Sequence, residues 1–265
     1  MSKNKLASSN ISININKLAQ IVVKELKKDN YIFNVLNIYE WPPKGKKLDG
    51  NETLRFKRKM CGRFASIIDK ENKNQIEIDG KKVEWTKAVL KWGGILGNNE
   101  ETILKYATQS AESLCSLSEG VASWSKVLAF QRPDKYFIYD YHVAFVLNYI
   151  LISHDETISR YFFIPLSKRL NSKSNLDSKY AYCNLIARLL GKINDGVSLG
   201  VFELSLQESY RLYLDLIEQI VEVLNDETDN CFHLVGDDKQ KVEMALFMKF
   251  NEYEEKVKAW RLTDD

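Results

Sequence analysis

Apolar residues recur at three- and four-residue intervals along most of the chain, and that period limits it to amphipathic helices packed on one another. Leu18, Ile21, Val22 and Leu26 share one face of a helix predicted over 17–26, closed by Lys27, Lys28 and Asp29, with a loop after it. The tandem Pro42-Pro43 removes amide donors and excludes helix there, and a basic helix follows over 54–68. Further helices are expected over 86–92, stopped by Gly93-Gly94, and from Asn99, where Glu100 and Glu101 suit the positive end of the helix dipole. Others fall at 121–130, broken by Gln131-Arg132-Pro133-Asp134, and at about 140–152. Beyond Pro165 the period returns at 177–193, 204–224 and 239–257. One stretch departs from it. Residues 75–85, QIEIDGKKVEW, alternate around Asp79-Gly80 and predict a small β-hairpin.

At 265 residues, the expected architecture is mostly α, a single domain over 1–265 made of two helical subdomains around a groove, with 86–165 as its core. Hydrophobic residues at 45% with only 4 prolines exclude a disordered or collagenous chain. The 4 cysteines (Cys61, Cys115, Cys183, Cys231) lack close spacing, so neither a disulfide framework nor a cysteine-rich metal site is indicated. A reducing cytoplasm fits that pattern. No apolar stretch is long enough for a signal peptide or a membrane span, the longest being 143–152 with Asn148 inside it.

Formal net charge is only +2, so affinity for a polyanion must come from uneven distribution. Lys44, Lys46, Lys47, Arg55, Lys57, Arg58 and Lys59 face only Asp49 and Glu52, whereas 201–230 carries eight acidic residues against Arg211. A solvated face accounts for either run equally well.

The chemistry-bearing stretch is 114–147, LCSLSEGVASWSKVLAFQRPDKYFIYDYHVAFVL. Its turn, Leu117 to Ala122, sets Gly120, Val121 and Ala122 at the start of a helix, where unpaired amides can approach a phosphate. A plain helix–turn–helix connection looks the same. Lys126 lies inside an apolar segment, which disfavours its charged form and favours a nucleophilic amine, unless the lysine is exposed. Asp140 follows 14 residues later at a helix N-cap position, flanked by Tyr139, Tyr141 and His142.

Together these pieces resemble the helix–hairpin–helix DNA glycosylase superfamily over about 35 residues. There a hydrophobic-Pro-Gly-hydrophobic-Gly hairpin grips a phosphate, a lysine after it is the nucleophile, and an aspartate lies downstream. The resemblance assigns Gly120, Val121 and Ala122 to the hairpin, Lys126 to the nucleophile and Asp140 to the aspartate. Ser118-Glu119 replaces the single proline, Ala122 the last glycine, and Trp124 stands at the usual lysine position, which marks an outlying branch. Archaeal-type 8-oxoguanine glycosylases form one such branch, and by its Ser-Lys-Val-Leu-x-Phe…Pro-x-x-Tyr…Tyr-Asp wording the chain more closely resembles a bacterial set that includes defence glycosylases removing glucosylated hydroxymethylcytosine from phage DNA.

What this implies is double-stranded DNA with a modified base as substrate, no cofactor or metal, and no obligatory protein partner. A carboxylate such as Asp140 stabilises positive charge growing on the sugar, and Lys126 or water attacks C1′. The extruded base stacks on aromatic groups, for which Trp92, Trp124, Tyr139, Tyr141 and His142 are candidates, although aromatics at helical spacing also build cores. Arg132, Lys135 and the basic patch from Lys44 to Lys59 are candidate phosphate contacts beside the hairpin turn.

Ser123-x-x-Lys126 also matches the serine–lysine motif of penicillin-binding enzymes, but no Ser-Asp-Asn or Lys-Thr-Gly element accompanies it. The three histidines (His142, His154, His233) have no metal-ligand spacing. The competing reading is a non-catalytic helical module that binds DNA or a protein, with Lys126 and Asp140 as a structural ion pair.

Overall fold

The structure, a computed structural model, describes residues 13–41, 47–69, 74–154, 160–162, 202–227 and 237–261. It is mostly helical. The helix predicted over 177–193, Pro165, Cys183, Cys231, His233, Lys44 and Lys46 lie outside the described residues.

Helix α1 (Ile15–Lys27) starts where the Asn14 side chain accepts from Lys17 N and buries Leu18, Ala19, Val22, Val23 and Leu26. The expected loop after it is instead a 3₁₀ turn (Lys28–Asn30) leading into α2 (Tyr31–Ile38). Asp29 and Asn30 both take φ 56, a left-handed conformation that these two residue types tolerate, and so reverse the chain in three residues. Helix α3 (Gly50–Ile68) opens on a capping box between Asp49 and Glu52. A single antiparallel bridge, Trp41 to Leu48, closes the proline-containing connection before it.

The expected hairpin at 75–85 is a helix: α4 runs Gln75–Trp92. Asn74 caps it, Gln75 Nε2 donates to Asp79 Oδ1 at 2.8 Å, and Lys81 pairs with Glu77 four residues away. Its far half decides the matter. Trp85 is 2% exposed, donates to Met60 O at 2.8 Å and packs on Phe64 at 4.7 Å, so tertiary anchoring outweighs the alternating pattern and the Asp79-Gly80 signal. The described strands pair elsewhere and in parallel, Arg160–Tyr161 (β1) with Phe202–Glu203 (β2).

Gly93 ends α4, and Asn99 caps α5 (Glu100–Thr108) through Thr102 N. Ser110 caps the short α6 (Ala111–Cys115), and α7 (Val121–Gln131) and α8 (Tyr141–His154) follow. Helix α8 is apolar on all sides and buried from Val143 to Ile152, which makes it the centre of the core. Each buried Val, Leu, Ile or Phe there stabilises the fold by roughly 1.5–3 kcal/mol. Helices α9 (Leu206–Glu227) and α10 (Asp238–Arg261) complete the described chain.

The strongest helix packings fall into two groups. In one, α1 lies on α9 and α8 on α10; in the other, α3, α4, α5 and α7 pack together, with α2 joining the groups through α3 and α10. No described helix is long and apolar enough to cross a membrane.

Candidate active site

Gly120 sets the position of α7. Its φ of 76 is left-handed, and an added Cβ would strike the Tyr106 hydroxyl, so both conformation and space require glycine. Its carbonyl accepts from Ser123 N at 2.8 Å and Trp124 N at 3.1 Å, and the Trp124 indole donates to Glu119 O at 3.0 Å. The turn Ser118–Gly120 is exposed, Val121 is buried and Ala122 half-buried.

One and a half turns on, Lys126 is 5% exposed, and its Nζ donates to Ala122 O at 3.1 Å and lies 3.3 Å from Asp140 Oδ2. Gly93 makes room for it. A Cβ at Gly93 would stand 2.6 Å from Lys126 Cδ and 3.0 Å from Cε.

Asp140 caps α8, its Oδ1 accepting from His142 N at 3.1 Å and Val143 N at 3.4 Å. The residues before it are pinned one by one. Tyr210 Oη donates to Phe137 O at 3.2 Å, Ile138 N donates to Glu243 Oε2 at 3.0 Å, and Tyr139 N donates to Ser125 Oγ at 3.1 Å. Ser125 and Tyr139 precede Lys126 and Asp140, so this hydroxyl sets the register of the lysine against the carboxylate. Burial pushes the Asp140 carboxyl up, but Lys126, His142 and the Val143 amide outweigh it and hold the group well below the usual carboxylate range. Asp140 is therefore an anion.

This pair faces a small pocket, partly open to solvent. Tyr39, Trp41, Trp92 and Phe247 supply aromatic walls, Ile138, Val143 and Met244 aliphatic ones, and Lys126, Asp140 and Glu243 the charges. Trp41 donates from its indole to Trp92 O at 2.9 Å and meets Phe247 edge-on at 5.4 Å. Phe56 stacks on Trp92 at 6.0 Å, and Phe130 meets it at 4.8 Å. Glu243 is held by Lys57 Nζ at 2.6 Å, both side chains being almost wholly buried. Burial, then the Glu243 and Asp140 charges, raise the Tyr39 phenol well above its ordinary value, so it stays a neutral hydrogen-bond donor.

Of the residues singled out from the sequence, Lys126, Asp140 and Trp92 line this cavity. His142 stands beside it, with Nδ1 3.7 Å from Asp140 Oδ1 and its ring 4.8 Å from that of Phe247. Trp124 and Tyr139 are fully buried and line no part of it; both pack edge-on against Tyr210, at 4.8 and 6.2 Å. Those two are core. Tyr141 is half-buried against Phe250 at 5.5 Å. Arg132 and Lys135 are exposed on the α7–α8 connection, Arg132 3.7 Å from Asp134 and Lys135 over the Tyr136 ring at 5.3 Å.

Sequence reading missed Tyr39, Trp41, Glu243 and Phe247. The available signals were Trp41 directly before the tandem prolines in the sequence, and Glu243 four residues before Phe247 and thus on the same helical face. Among the described residues no three His, Cys, Asp or Glu side chains gather as a metal site. Comparison with known proteins gives no relative: no family model, curated protein or solved structure matches the chain.

Proposed function

We propose that the protein is a DNA glycosylase that takes a modified base from duplex DNA into this cavity and cuts its N-glycosidic bond. The observation that carries the reading is a buried lysine and an ionised aspartate 3.3 Å apart at the wall of an open, aromatic-lined pocket. Trp41, Trp92 and Phe247 pack on their neighbours at 4.8–6.0 Å, so the pocket has to widen to admit a base, and stacking on those rings then offsets the few kcal/mol needed to unstack it from the duplex. The Asp140 carboxylate stabilises the positive charge that develops at C1′ as the bond to the base breaks. Beside it, Lys126 gives up a proton and its amine attacks C1′; the base departs with the bonding pair and takes up a proton. Opening of the sugar ring then yields a Schiff base, from which β-elimination cuts the strand. If water attacks in place of the amine, the product is an abasic site. The substrates proposed from the sequence resemblance are glucosylated hydroxymethylcytosine in phage DNA, with the protein acting in antiviral defence, and oxidised purines, with the protein acting in repair.

The rival reading treats Lys126–Asp140 as a structural pair in a non-catalytic binding module. Incubation with duplexes carrying each modified base, followed by borohydride, separates the two. The enzyme reading expects base release from one of them, and any trapped adduct to vanish in Lys126→Gln. Specific binding with no base release from any duplex would favour the module.

A further inference from the structure

The basic run on α3 divides three ways. Lys57 turns inward to Glu243, and Arg58 pairs with Asp237 ahead of α10. Arg55 and Lys59 stay exposed, joined by Arg63 one turn further on, and none of the three forms an ion pair among the described residues. They stand at i, i+4 and i+8, so they share one face, and no acidic residue occurs between Thr53 and Ile68 to neutralise them. Between them that face is low. Nothing lies within 4 Å of where a Cβ on Gly62 would stand, and the Ser66 hydroxyl turns back to Gly62 O at 2.9 Å. The Arg63 guanidinium donates to the Met60 sulfur at 3.8 Å.

The stripe borders the cavity wall through Phe56, the residue after Arg55, whose ring stacks on Trp92. We propose that Arg55, Lys59 and Arg63 form a contact surface for the phosphates of one DNA strand, separate from the Gly120 turn. The inference rests on duplex DNA being the ligand of the neighbouring pocket. Three cations at this spacing cover about 12 Å of helix axis. One DNA strand carries a phosphate every 3.4 Å or so of its own axis, giving about three within that span. Lone surface cations gain little from scattered solvent ions, whereas a row of them releases condensed counterions from a polyanion.

The test measures binding of the full chain to a fluorescent duplex oligonucleotide between about 50 and 200 mM salt, for wild type and for Arg55→Gln/Lys59→Gln/Arg63→Gln. Neutralising three phosphate contacts should flatten the slope of log K against log salt by about 2.7, equally for modified and unmodified duplexes. Thermal melting should be unchanged, because all three side chains are exposed. A variant slope within about 0.9 of wild type, less than one phosphate contact, overturns the stripe while leaving the pocket reading intact. Wild-type protein with no salt-dependent duplex binding overturns both.

Discussion

Two buried lysine–carboxylate pairs stand at the same pocket, and they are built differently. Lys126 and Asp140 lie 14 residues apart, 3.3 Å from each other, and both line the cavity. Lys57 and Glu243 lie 186 residues apart, close to 2.6 Å, and only Glu243 reaches the cavity. Both carboxylates use both oxygens, Glu243 on Lys57 and Ile138 N, Asp140 on Lys126 and on the His142 and Val143 amides. The second pair works as a strut from α3 through α10 to the residues that deliver Asp140. The first pair is longer and open on one side. A tight ion pair with its lysine shut away from the pocket holds a site, and a longer one with both members at the pocket is available to react.

Breaking the strut has the largest expected effect on stability. Lys57→Met leaves Glu243 as a buried, uncompensated charge and should cost about 3–5 kcal/mol in urea unfolding. Adding Glu243→Gln removes that charge while keeping an acceptor for Ile138 N, so the double variant should recover most of the loss. If the single and double variants are equally unstable, the pair is not the strut described.

Gly93→Ala sharpens the contrast from the other side. Its backbone (φ −72) accepts alanine, but the new Cβ meets the middle of the Lys126 side chain. Displacing Nζ by an ångström should slow base release by about 10²-fold, and the overpacking should cost about 1–3 kcal/mol in stability. Unchanged single-turnover release would show that the position of Lys126 does not matter.

Acid probes the Asp140 charge directly. The Asp140 carboxyl is depressed in the folded state, so the stability it contributes is fully present above its ordinary value of 3.8 and drains away as pH falls below that value. Asn keeps the α8 cap and removes only the charge. The stability gap between wild type and Asp140→Asn should therefore be constant near neutrality and narrow below about pH 4. A gap that widened on acidification would give the shift the wrong sign.

The smallest effect concerns the sequence reading itself. Gly80 is exposed in mid-helix with nothing within 4 Å of an added Cβ, so Gly80→Ala should stabilise the protein by about 0.5–1 kcal/mol. In an Asp-Gly hairpin turn the same substitution would destabilise.

What the sequence made legible was local. The Gly93-Gly94 stop, the Asn99 start, the Gly120 turn, and Lys126 with Asp140 all depend on neighbours within a few turns of helix, and the structure places those elements where the pattern puts them. What stayed hidden was set at long range. Trp85 reaches Met60 O across 25 residues and turns an apparent hairpin into helix. Glu243 finds Ile138 across 105, a partner that its own segment does not reveal. Aromatic residues misled for a related reason. Trp92 precedes Gly93 and Trp124 lies four residues after Gly120, but only the packing of α9, through Tyr210, seals Trp124 inside while Trp92 is left at the cavity.

The most direct test of the account is single-turnover base release by Asp140→Asn at saturating DNA, beside its affinity for the same duplex. The account predicts a fall of about 10³-fold in release, about 4 kcal/mol of lost transition-state stabilisation, with binding nearly unchanged. Release at the wild-type rate, or release and affinity falling together, would contradict it.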